Sequence, residues 1–103
     1  SDENLKKLLR RSFPTLKDQW AEQFTALFRD LRQKCDSGEI STKALDLRGL
    51  IAAMKIVDTG LSPRKAVQMG IVNKTFDVFE KEIVEDVVST RIPDDWTRED
   101  VYE

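Results

Sequence analysis

Thr15-Leu16-Lys17-Asp18-Gln19-Trp20-Ala21-Glu22-Gln23-Phe24-Thr25-Ala26-Leu27-Phe28-Arg29-Asp30-Leu31 is the stretch that decides the fold class. Leu16, Trp20, Phe24, Leu27, Phe28 and Leu31 recur at spacings of three and four, the period that gathers side chains on one face of an α-helix. So large an apolar face must be buried, which makes this helix the centre of a core. Thr15 is expected as its N-cap, with Asp18 three residues on as a weaker relative of a capping box. Gly38, following Lys34 in the last turn, is expected as its left-handed terminator. The pattern places Trp20, Phe24, Leu27, Phe28 and Leu31 against Leu50, Ile51, Met54, Ile83 and Val87.

Upstream, Asp2 or Ser1 can cap a first helix running to about Phe13, with Leu5, Leu8 and Leu9 on one face, and Pro14 ends it. Downstream, residues 39–45 read as a polar connection. Asp46 is then placed to cap a third helix containing Leu47, Leu50, Ile51, Met54 and Val57, which Gly60 terminates. Ser62-Pro63 pairs an N-cap residue with proline at the first helical position, where the missing N–H costs nothing. That fourth helix is expected to reach about Val72, with Asn73 and Lys74 breaking it. Asp77 can cap a fifth, with Phe79, Ile83, Val84, Val87 and Val88 as its stripe. The β-branched content there makes a strand the competing reading, but Glu80, Lys81, Glu82, Glu85 and Asp86 fit a 3.6-residue period better than an alternating one. The expected fold is therefore all-α, a compact bundle of about five helices over residues 1–92. Residues 93–103, with five acids against one base, are expected as a loosely held acidic tail.

Composition narrows the function. The chain has 103 residues, room for one domain, with 40% hydrophobic and 35% charged residues and a net charge of −2, which argues against general binding to nucleic acid or a membrane surface. No apolar run approaches a membrane span and no signal-peptide pattern is visible at the start, so a soluble, cytoplasmic protein is expected. Cys35 is the only cysteine, which excludes an intrachain disulfide, and there is no histidine, the usual general base and commonest metal ligand. No phosphate loop, dinucleotide-binding turn, zinc-protease motif or cysteine cluster occurs. Neither a catalytic residue nor a metal site is expected.

Two arginines stand out by position. Arg48 and Arg64 each follow a candidate N-cap by two residues, so each lies in a first helical turn. A cation there opposes the helix dipole at a cost of about 0.3–1 kcal/mol. An anion would reverse that cost, since unpaired N–H groups, the dipole and a guanidinium fork would face the same phosphate. The plainer reading is a surface arginine screened by solvent.

The run Asp46-Leu47-Arg48-Gly49-Leu50-Ile51-Ala52-Ala53-Met54, then Gly60-Leu61-Ser62-Pro63-Arg64-Lys65-Ala66, then Gly70-Ile71-Val72-Asn73-Lys74, resembles the C-terminal helical lid of MoxR-type AAA+ ATPases, within that type the NorQ and CbbQ branch. Such lids carry an S-T-R-x-L-I helix, a G-x-x-P-R-x-A helix start and an A-(I/L)-V-(N/E) segment at similar spacings, and the likeness covers roughly residues 12–92. It implies that Arg48 is the sensor 2 arginine, reaching the γ-phosphate of ATP held in a preceding α/β core, with Arg64 as a secondary phosphate or interface candidate. Asp46-Leu47 departs from the usual Ser-Thr. It keeps a capping side chain but sets a carboxylate near the arginine.

The resemblance further implies ATP and Mg²⁺ as cofactors of the whole protein and none bound by this fragment. It implies as partners an N-terminal ATPase core in the same chain, neighbouring subunits of a hexameric ring and an unidentified protein client remodelled in chaperone fashion. The alternative is a free-standing helical interaction module or helix-turn-helix, with Arg64, Lys65 and Gln68 as its polar contacts.

Overall fold

The computed structural model describes residues 2–42, 45, 47–71 and 77–103, and among them the fold is all-α. Helices α1 (Asp2–Ser12), α2 (Asp18–Asp36), α3 (Leu47–Asp58), α4 (Pro63–Gly70), α5 (Val78–Arg91) and α6 (Arg98–Val101) follow in order. Trp20, Phe24, Leu27 and Leu31 are each fully buried, so the face read from the opening stretch is the centre of the core. Leu50, Met54 and Val57 of α3 and Val84, Val87 and Val88 of α5 close over it, while Ile51 and Ile83 are only half-buried. The Trp20 indole N–H donates to the Met54 sulfur at 2.9 Å, joining α2 to α3. The Cα radius of gyration, 12.7 Å, matches the roughly 13 Å expected of a compact chain this long.

α1 and α2 form an antiparallel hairpin, laced by the pairs Asp2–Arg29, Lys6–Glu22 and Arg10–Asp18. These pairs are largely exposed and each adds about 0–1 kcal/mol, so burial of Leu9 and the α2 face decides the hairpin's stability. α3 and α4 form a second antiparallel hairpin through a turn at Gly60 (φ 114°), where a side chain would be strained. Its helices touch backbone to backbone. A Cβ added to Gly70 would stand 2.6 Å from the Gly49 carbonyl oxygen.

Several local expectations match. Gly38 (φ 80°) ends α2, with the Glu39 N–H returning to the Lys34 carbonyl at 3.0 Å. Asp77 caps α5, accepting from the Phe79 N–H at 2.7 Å and the Glu80 N–H at 3.4 Å. Pro63 opens α4, although the Ser62 side chain makes no capping bond. The expected Ser1 and Asp46 caps, and the end of the fourth helix at Val72, Asn73 and Lys74, lie outside the described residues.

Three expectations are corrected. Thr15 does not cap α2, which starts three residues later behind Lys17 with no side-chain cap. The cause is pairing between distant segments. Leu16 bridges Tyr102 in antiparallel fashion, the Lys17 N–H donates to the Val101 carbonyl at 2.7 Å, and the Glu103 N–H donates to the Thr15 carbonyl at 2.8 Å. For the same reason residues 93–103 are not a loose end: they carry α6, and Val101 and Tyr102 enter the core. The sequence signal for α6 is Thr97-Arg98-Glu99-Asp100, in which the Asp100 carboxylate accepts the Thr97 N–H at 2.8 Å. Finally, Phe79 is 77% exposed rather than part of the α5 stripe. It stands in the first turn of α5, where Asp77, Val78 and Phe79 are all exposed.

Candidate functional site

Arg48 lies in the first turn of α3 with its side chain exposed, and its guanidinium bonds to no group among the described residues. The helix that carries it is firmly seated. Gly49, the next residue, is buried against α4, and Leu50 is fully buried. A guanidinium that bonds to no group among the described residues leaves its fork open to an anion.

Arg64 has a different role. It lies in the first turn of α4, yet its guanidinium turns to the C-terminus of α5, donating to the Ile92 carbonyl from Nε at 3.0 Å and from Nη2 at 2.7 Å. A further contact reaches the Ser89 carbonyl at 3.4 Å, and the Asp94 carboxylate stands 3.7 Å away. Carbonyls at a helix end carry partial negative charge, so the cation that is unfavourable for α4 is favourable for α5. The placement that looked unexplained in the sequence has a structural reason.

The two arginines do not converge. Because the α3–α4 hairpin is antiparallel and Gly49 meets Gly70, Arg48 sits at one end of it and Arg64 at the other. Ten residues of α3 separate Arg48 from the Gly60 turn end, on the order of 15 Å along the axis. One small anion cannot touch both.

The end opposite Arg48 is closed by the chain's last residues. Arg98 grips the C-terminus of α3, donating from Nε to the Asp58 carbonyl at 3.0 Å and from Nη2 to its carboxylate at 2.6 Å, while stacking over the Tyr102 ring. The Tyr102 hydroxyl donates to the Met54 carbonyl at 2.7 Å, and burial beside the Asp58 charge pushes its pKa up to about 12. Sequence reasoning missed Arg98; the capping pattern at Thr97 was the available signal.

Cys35 is held toward the thiol form. Its half-buried thiol donates to the Ser41 carbonyl at 3.4 Å, and burial, with the charges of Asp36 and Glu80, pushes its pKa up and disfavours the thiolate. Among the described residues no group of three or more cysteine, aspartate or glutamate side chains is arranged to hold a metal ion, and no helix is long and apolar enough to cross a membrane.

No family model and no solved structure matches the chain. It is similar to an uncharacterized protein of Bacillus subtilis (strain 168), YojN, with 30% identity over 88 residues. The match takes in 85% of this chain and 29% of that protein, so the chain spans just under a third of the length of the curated relative it matches.

Proposed function

We propose that this chain is the C-terminal lid of a MoxR-type AAA+ ATPase of the NorQ and CbbQ branch, coupling ATP binding and hydrolysis to the remodelling of a protein client. The observation that carries the reading is Arg48: exposed, unengaged among the described residues, and borne in the first turn of a firmly seated helix. Its surroundings in sequence, from Asp46 to Met54 and from Gly60 to Ala66, are those in which such lids carry their sensor arginine. A match to part of a longer relative accords with a domain that works within a larger chain.

In this reading Arg48 is the sensor and Arg64 is not, since its guanidinium is committed to α5. ATP and Mg²⁺ are held by a preceding α/β core, the protein forms a hexameric ring in the cytoplasm, and the lid swings onto the γ-phosphate. The helix-turn-helix alternative draws less support, because Arg64, one of its three polar contacts, is occupied.

The test is ATP turnover by the full-length protein carrying Arg48→Ala. One charged hydrogen bond contributes about 1.5–3 kcal/mol, so turnover should fall by roughly ten- to hundredfold with the domain still folded. Turnover equal to wild type would remove the assignment.

A further inference from the structure

A groove of about 260 Å³ opens between α1, α2 and the start of α3, lined by Asn4, Leu5, Leu8, Phe28, Arg32 and Leu47. Its floor is apolar, and Leu5, Leu8 and Leu47 remain half-exposed there. Among the described residues no acidic side chain lines it. On α1, Asn4, Leu8 and Arg11 fall at i, i+4 and i+7, one stripe along the helix, so the groove's α1 wall ends on a second arginine about 10 Å from Asn4.

The arginines of the chain divide in two. Arg10, Arg29, Arg64, Arg91 and Arg98 are each bonded to a carboxylate or a main-chain carbonyl. Arg11, Arg32 and Arg48 bond to no group among the described residues. Arg32 lines this groove, Arg11 lies about one turn beyond Leu8 along the same helix, and Arg48 is the residue after Leu47. In a chain of net charge −2, the charged residue in the lining of this apolar trough, among the described residues, is an unengaged arginine.

We propose that this groove docks an amphipathic acidic helix of a partner protein, its leucine-type side chains seated on Leu5, Leu8, Phe28 and Leu47 and its carboxylates meeting Arg11 and Arg32. Charge complementarity selects this occupant. An apolar trough alone would accept any hydrophobic segment, whereas a guanidinium fork in its lining, with Arg11 further along α1, favours carboxylates and disfavours a basic helix. From Asn4 to Arg11 the α1 face runs about two helical turns, which suits apolar anchors at i, i+3 and i+4 over the leucines and a carboxylate beyond them. The proposal does not depend on the ATPase reading, because it needs neither nucleotide nor Arg48.

The experiment titrates the 103-residue chain with two labelled synthetic helices. Both carry leucine at every third and fourth position; one has glutamate elsewhere and the other lysine. Saturable binding of the glutamate helix is expected, with amide shifts centred on Leu5, Leu8, Phe28 and Leu47, weakened by salt. Arg32→Glu, an exposed change that leaves the fold intact, should reduce affinity by about tenfold, as for a charge reversal facing a carboxylate. Leu8→Asp should abolish binding. Equal binding of the lysine helix, shifts elsewhere on the surface, or no saturable binding would each overturn the proposal. So would concentration-dependent self-association lost in Leu8→Asp, since the occupant would then be a second copy of this chain.

Discussion

Arg64 and Ile92 are joined by two hydrogen bonds from one guanidinium, at 3.0 and 2.7 Å, across 28 residues of sequence. The contact fixes the start of α4 to the end of α5 and orients the segment that turns into α6. Arg98 repeats the device on the Asp58 carbonyl at the end of α3. Two helix C-termini at the same end of the bundle are thus closed by arginines from other elements, leaving Arg48 at the opposite end.

Arg64→Ala should destabilise the domain by about 1–3 kcal/mol, the range for a charge-assisted bond whose acceptor loses its partner. Lysine should recover only part of this, because an ammonium cannot reproduce the fork. Urea midpoints of the three proteins check this. A neutral Arg64→Ala would show that the Ile92 carbonyl is equally well served by water.

Gly70→Ala sets two effects against each other. Alanine is the better helix former by about 1 kcal/mol, but its Cβ would meet the Gly49 carbonyl at 2.6 Å, and backbone cannot swing aside as a side chain can. The clash should win, with a net loss of about 1–3 kcal/mol from forcing α4 off α3. Thermal unfolding decides the sign.

Phe24→Ala and Leu27→Ala remove fully buried side chains from the most enclosed face of α2. Each should cost about 2–5 kcal/mol, the transfer term plus the cavity left behind. Phe79→Ala, by contrast, should change stability by less than about 0.5 kcal/mol, since that ring is mostly in solvent. Denaturant unfolding of the three variants tests burial at each position.

The α2 periodicity was readable because Trp20, Phe24, Leu27 and Leu31 face one core, and local spacing is all that such a face requires. The start of α2 was not readable, because Thr15 and Lys17 are claimed by Glu103 and Val101, contacts that no local window contains. Phe79 misled for the opposite reason: its spacing fits the α5 period, but the first turn of that helix is exposed. At the candidate site, both arginines were visible as anomalies of helix charge. Only the fold separates them, since the Ile92 carbonyl that engages Arg64 is distant in sequence.

Tyr102 should make stability fall in alkali. Its phenol is held up to about 12, against about 10 in the unfolded chain, by burial first and then by the Asp58 charge, with Arg98 opposing. A raised folded pKa means that unfolding between these values releases a proton. The contribution is therefore fully present below about pH 10 and lost as pH climbs toward 12, by about 2–3 kcal/mol in all at about 1.4 kcal/mol per unit. The useful quantity is the difference between wild type and Tyr102→Phe, in which every group common to both proteins cancels. That difference should shrink between pH 10 and 12, and a difference independent of pH would contradict the assignment.

The isolated chain should not bind ATP·Mg²⁺ measurably at micromolar concentration. A single charged hydrogen bond contributes about 1.5–3 kcal/mol net, whereas even millimolar binding requires about 4.1 kcal/mol. Arg48 by itself falls short of that. Arg64 cannot make up the difference, since it stands at the far end of the α3–α4 hairpin with its donors already on the Ile92 carbonyl. Strong nucleotide binding needs an N–H cradle, a lysine and Mg²⁺-holding acids, and the sequence carries no phosphate loop to provide them. Affinity should appear only when a nucleotide-binding core is joined to this chain, and amide shifts during an ATP·Mg²⁺ titration of the labelled chain give the readout. Flat shifts through about 100 μM are expected from the missing interaction energy. Saturable shifts centred on Arg48 would mean that the start of α3 is a complete anion site by itself, and the sensor reading would give way to an independent nucleotide-binding module.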